Sequence, residues 1–165
     1  LIGLVGSEMC IRDSLENTGL AVCIDVGDGD DLHPKNKPAV GRRLSLVARA
    51  LTYGERIPYS GPVYEGYRIE GNTIRIDFSH TDKGLKTSDG GPVRGFYIAG
   101  PDHKFHAARA VIEGSTVVVS SDGVRFPVGV RYAWANNPVC NLCNGAGLPA
   151  GPFRTDDWTD GAKRY

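Results

Sequence analysis

Beyond Gly54 apolar and polar side chains alternate in several short runs. Ile74, Ile76 and Phe78 alternate with Arg75 and Asp77; Phe96 and Ile98 repeat the spacing, as do Val117 and Val119, and then Val128, Val130, Tyr132 and Trp134. A period of two places every second side chain on one face of an extended strand, which selects antiparallel strands with one face buried. Two turns punctuate the pattern alike, Ile69-Glu70-Gly71-Asn72-Thr73-Ile74 and Ile112-Glu113-Gly114-Ser115-Thr116-Val117. Each puts Gly where a two-residue hairpin loop needs positive φ, so the likeness reads as recurrent turn chemistry rather than duplication. About seven short strands between residues 63 and 135 predict a β-sandwich, with Tyr132 and Trp134 on its buried face. The Gly- and Pro-rich tail from Asn136 is expected to run irregularly over the surface.

The opening third has a different period. Residues 20–26, LAVCIDV, form an apolar run between Gly19 and Gly27, as a buried strand of a parallel sheet would. A polar loop follows. From about Pro38, Val40, Leu44, Val47 and Leu51 recur at steps of four, three and four, one face of an amphipathic helix with Pro in its first turn and Gly54 as its stop. Strand, loop and helix make one unit of an α/β fold. The organisation expected is α/β plus β: residues 15–56 as the end of an α/β domain, then residues 57–165 as an antiparallel β-sandwich domain with its tail.

Residues 1–14, LIGLVGSEMCIRDS, carry neither period and resemble a translated sequencing adapter, so they are expected to be a non-native leader without native packing. Asp13 and Ser14 are therefore not read as a catalytic turn. The chain begins at Leu1 and its one Met is Met9, which leads us to expect a piece of a longer reading frame. Nineteen basic and nineteen acidic residues cancel, so no overall field draws nucleic acid. No apolar run approaches the roughly 18 residues of a membrane span. Neither partner is expected.

His33 is the strongest candidate for chemistry. It lies in the polar loop between the apolar run and the helix, three residues after Asp30 and two after Asp31. Loops at strand ends of α/β folds open into one crevice, where a His can reach a nucleophile carried on another strand. A carboxylate on the same loop can accept a hydrogen bond from one ring nitrogen, fixing the tautomer so that the other acts as base. Spacing alone leaves a solvated surface His as the plainer reading.

The surrounding residues add a resemblance. Asn17-Thr18-Gly19-Leu20-Ala21-Val22, Ile24-Asp25-Val26-Gly27-Asp28, Asp31-Leu32-His33-Pro34-Lys35-Asn36-Lys37 and Val40-Gly41-Arg42-Arg43-Leu44 resemble the sialate O-acetylesterase family of SGNH (GDSL-like) hydrolases. The likeness continues through Tyr59-Ser60-Gly61-Pro62, Gly95-Phe96, Ile98-Ala99-Gly100 and Val130-Arg131-Tyr132-Ala133-Trp134. It ends with Asn141-Leu142, Gly147-Leu148-Pro149-Ala150 and Pro152-Phe153-Arg154-Thr155-Asp156. It covers nearly all of the chain from Leu15.

The resemblance implies hydrolysis of acetyl esters on sugars, typically O-acetylated sialic acids, by a Ser nucleophile with His as general base and without a metal. It also implies a secreted, periplasmic or cell-surface setting. His33 matches the family His. Asp30 has the Asp-x-x-His spacing of related SGNH enzymes and ranks first as its partner; Asp31, two residues before the His, is the alternative. Two departures stand out, Cys143 where relatives commonly have Tyr and Cys23 where a small polar residue is usual. No Gly-x-Ser-x-Gly elbow or Gly-Asp-Ser turn occurs, so the nucleophile is expected upstream and these 165 residues are expected to be inactive alone.

Cys140-Asn141-Leu142-Cys143 has the spacing of half a zinc site, to which His103 and His106 could add nitrogens. No second Cys pair completes it, so it reads as incidental thiols, and no metal or cofactor is expected. Tyr132, Trp134 and Phe153 could stack on a sugar, but the parity of the first two favours burial. Arg131 and Arg154 could fork onto a sugar carboxylate, although tying the tail to the sandwich is the favoured reading. The rival to the esterase is a non-catalytic carbohydrate-binding or structural β-sandwich module.

Overall fold

The computed structural model describes residues 18–31, 33 and 35–158; the expected leader lies outside them. One helix, α1 (Lys37–Leu51), runs where the period of 3.6 placed it. Asn36 caps its start by accepting from the Ala39 N–H at 3.3 Å, satisfying one of the amide groups that a helix leaves unpaired. Its apolar stripe is only partly covered. Val47 is buried, whereas Leu44 is 54% exposed and Leu51 37%.

The strand expected at residues 20–26 is absent. The segment is irregular, with a turn closed by the Val26 N–H on the Cys23 carbonyl. A parallel strand depends on neighbours for its backbone hydrogen bonds, and no described strand runs beside this one. The Val22 carbonyl is satisfied instead by Arg43 of α1 at 2.8 Å.

Beyond the helix the chain is antiparallel throughout. The strands are β1 (Val63–Glu70), β2 (Thr73–Ser79), β3 (Leu85–Thr87), β4 (Phe96–Ala99), β5 (Phe105–Ala107), β6 (Arg109–Glu113), β7 (Thr116–Ser120), β8 (Gly129–Tyr132), β9 (Leu142–Asn144) and β10 (Phe153–Arg154). They form two four-stranded sheets, ordered β1-β2-β7-β6 and β10-β8-β4-β5, and a small β3-β9 pair. Both two-residue hairpins occur as expected, with Gly71 at φ 63° and Gly114 at φ 64°. Eight strands fall between residues 63 and 135, one more than anticipated.

The two large sheets bury their apolar faces in one core. Ile74, Ile76 and Phe78 of β2 and Val117 and Val119 of β7 meet Phe96 and Ile98 of β4 and Val130 and Tyr132 of β8. Phe153 of β10 sits where they converge, stacked on Tyr64 at 4.6 Å and edge-on to Phe78 at 5.8 Å. Such ring pairs add to the stabilisation from burial alone. No described helix is long and apolar enough to cross a membrane.

The tail is not the irregular surface run that its composition suggests. It supplies β9 and β10 and buries Leu142, Cys143, Leu148, Ala150 and Phe153. The fully buried Asn144 explains how so polar a stretch can pack inside. Its amide nitrogen donates to the carbonyls of Ser60 and His80, both at 2.9 Å, and its amide oxygen accepts from the Leu148 N–H at 3.0 Å. One side chain thus satisfies three backbone groups that would otherwise be costly to bury.

Gly61 marks the closest approach between the tail and the segment before β1. A side-chain carbon there would overlap the Pro149 carbonyl, which belongs to the main chain and cannot rotate away. Gly61→Ala is expected to cost about 1–3 kcal/mol of stability, the range for overpacking a close-fitted interior. Urea unfolding checks this; an unchanged midpoint would mean that the backbone at Pro149 can step aside.

Candidate functional site

The loop from Asp25 to Asn36 owes its shape to its own short acidic side chains. The Asp30 N–H donates to Asp28 Oδ1 at 3.1 Å and the His33 N–H to Asp31 Oδ1 at 2.8 Å, local turns that Asp forms readily. Asp30, Asp31 and His33 are all exposed. The structure puts the three candidates on one loop without joining the imidazole to either carboxylate. Among the described residues, the Asp31 carboxylate holds the backbone of His33, and Asp30 makes no side-chain contact with its ring.

The stem of the loop is firmly held. Arg43 Nη1 and Nη2 donate to the two carboxylate oxygens of Asp25 at 2.5 and 2.7 Å, and Nη1 also reaches Val22. The buried guanidinium is held further toward its charged form, first by its hydrogen bonds to Asp25 and against the opposing effect of burial. A bidentate fork fixes direction as well as distance. It therefore fixes where the chain leaves residues 22–25 for the His33 loop.

The far side of the loop rests on the β-rich body. A side-chain carbon at Gly29 would run into the amide of Asn137, so the backbone there lies directly against the turn that follows β8. That turn carries Trp134. Strand parity placed Trp134 on the buried face beside Tyr132; the structure corrects this. Ala133 adopts φ 49°, which ends β8 and re-aims the next side chain, leaving Trp134 half-buried with the Arg154 guanidinium 5.4 Å from its ring centre.

Tyr132 and Phe153 are core residues and offer no face to a sugar. Arg131 ties down the tail as the sequence suggested. Its Nε and Nη2 donate to Asp156 at 2.8 and 2.6 Å, and its guanidinium lies 4.1 Å from the Phe105 ring centre. Arg154 does not share that role.

Cys143 is buried in β9, Cys140 is half-buried, and both are free thiols. Burial pushes both thiols up in pKa, which favours the protonated form over the thiolate that binds metal. Among the described residues, no three His, Cys, Asp or Glu side chains gather as a metal site. His103 is occupied by stacking on Trp158 at 3.9 Å.

One feature had no signal in the sequence. A cleft of about 460 Å³ lies between residues 18–24 and the β-rich body, with Leu20, Ile24, Leu51, Tyr59, Tyr64 and His80 among its walls. His80 takes φ 51°, and its Nε2 lies 3.4 Å from the Tyr59 hydroxyl. His33 is not part of this wall, so cleft and loop are separate features sharing one stretch of chain.

No family model matches the chain. It is similar to the curated sialate O-acetylesterases of Mus musculus, 43% identical over 158 residues, and Homo sapiens, 28% identical over 154. Each alignment takes in 84% of this chain, and 28% and 29% of the respective relative. The chain therefore spans less than a third of the length of these relatives. Among solved structures, a carbohydrate acetylesterase from Xanthomonas citri superposes with a TM-score of 0.82 and 47% identity, over 84% of this chain and 32% of that one.

Proposed function

Because the chain belongs, over the segment it shares with them, to the sialate O-acetylesterase family, we propose that it is the part of a carbohydrate O-acetylesterase that carries the general base. The two large sheets would form a sandwich that braces the His33 loop, and the nucleophilic serine would come from outside these 165 residues. The substrates would be acetyl esters on sugars, O-acetylated sialic acids among them, met in a secreted, periplasmic or cell-surface setting. The likeness to the Xanthomonas citri acetylesterase, close in both sequence and backbone, is the observation that carries this reading.

In this reading His33 takes the proton from the serine hydroxyl as its oxygen bonds to the acetyl carbon, then returns it to the sugar oxygen as the ester bond breaks. Water repeats the sequence on the acetyl-enzyme and releases acetate. Asp30, or in its place Asp31, would turn inward to hold the ring nitrogen that faces away from the serine. Both side chains are exposed, and Asp31 would first have to release the His33 N–H that its carboxylate accepts.

The test uses p-nitrophenyl acetate. The 165-residue chain is expected to release no p-nitrophenol above background, and its His33→Ala variant to behave identically, since a base without a nucleophile has nothing to activate. Turnover that disappears with His33→Ala would place the nucleophile within this chain and overturn the division proposed here.

A further inference from the structure

Arg154 and Arg131 stand opposite one another on the paired strands β10 and β8, yet their surroundings differ in kind. Arg131 is buried and its fork is consumed by Asp156. Arg154 is exposed, because its neighbour Phe153 takes the core side of β10. Among the described residues no carboxylate meets Arg154; it lies over Trp134 alone. An arginine over an aromatic face gives up side-chain freedom in advance and keeps its in-plane N–H groups for a ligand.

The position matters as much as the state. Trp134 and Asn137 belong to one turn, and Asn137 is packed against Gly29 of the loop that carries His33. That loop presents Asp28, Asp30 and Asp31. Three exposed carboxylates would repel an anionic sugar unless a cation met it beside them.

The geometry points to Arg154, held by Trp134, as the residue that receives the carboxylate of an acidic acetylated sugar next to the His33 loop. The assignment rests on the esterase reading and names its substrate class. The guanidinium forks onto the carboxylate, the indole packs against the sugar ring, and the acetyl ester is left facing the loop.

The test is a titration of the whole 165-residue chain, followed by the NMR signals of the two indole N–H groups. Trp134→Phe identifies which signal is which, and Trp158 serves as the internal reference. The probes are N-acetylneuraminic acid and its methyl ester, in which a small methyl group removes the charge that Arg154 would read. The acid is expected to shift the Trp134 signal saturably, with the ester and the Arg154→Gln variant each binding roughly tenfold more weakly, as loss of a charged hydrogen-bonded pair requires.

Equal binding of acid and ester to the unaltered chain overturns the assignment, a comparison that does not depend on any variant folding. Undiminished binding by Arg154→Gln overturns it too, as does the lack of a saturable shift at concentrations on the order of 10 mM, beyond which affinity is negligible. A serine esterase containing this segment that fails only these tests leaves the catalytic reading standing. Acid-selective binding by a protein that hydrolyses no acetyl ester would remove the catalytic reading instead.

Discussion

His33→Ala, made in an esterase that joins this segment to its nucleophile-bearing part, is expected to lower kcat roughly 10³- to 10⁶-fold, the range seen when a member of a catalytic triad is removed. Stability should hardly change, because the residue is exposed and, among the described residues, its backbone N–H is what is engaged. Steady-state kinetics on an acetylated sugar, with a melting curve alongside, separates the two effects. Asp30→Asn should cost less than His33→Ala but more than Asp31→Asn. Asparagine is the useful replacement at Asp31, since it keeps the oxygen that accepts from His33 at 2.8 Å while removing the charge. A larger loss at Asp31 would make the two-residue spacing the operative one, and wild-type rates in both would end the carboxylate–histidine assignment.

Asp156→Ala should destabilise the fold by about 3–5 kcal/mol, the cost of leaving a buried charge without its partner. The Asp156 side chain is fully shielded and the Arg131 side chain only 10% exposed. Removing the carboxylate leaves the guanidinium with the Phe105 ring and, among the described residues, no anion. Replacing Arg131 and Asp156 together with apolar residues should recover much of the loss, because the desolvation of both charges is then avoided. Chemical denaturation of the three variants checks this. A single-variant loss under about 1 kcal/mol, as for an exposed pair, would mean that the tail is held by Phe153 rather than by its ion pair.

What could be read from the sequence follows from how local each interaction is. Gly71 and Gly114 announce their hairpins because the conformation they supply and the strands they join lie within a few residues. The helix is equally local, with its cap at Asn36 and its stripe through Val47. Residues 20–26 are apolar enough for a strand, but a strand is defined by partners elsewhere in the chain, and here the Val22 carbonyl is taken by a guanidinium. β9 and β10 span three and two residues, too few for any periodicity to register. Trp134 kept the parity of a buried residue; the left-handed turn at Ala133 that broke it has no glycine to mark it.

The site divides in the same way. The sequence brought Asp30, Asp31 and His33 to one loop through their spacing. It could not tell that Asp31 would spend its carboxylate on a main-chain N–H. Arg131 and Arg154 looked equivalent in sequence, and only their partners across the sheet separate the structural residue from the one that remains available.

Asn144 and Phe153 also decide where this module can be cut. The Pro- and Gly-rich stretch after Ala135 has the look of a linker, a natural place to end an expression clone or join a fusion partner. Ending there would remove the amide that fastens Ser60, His80 and Leu148 together, and the aromatic ring on which both large sheets close. A graft of this unit onto another protein has to carry the chain through Asp156, so its portable boundary lies some twenty residues beyond the point that composition suggests.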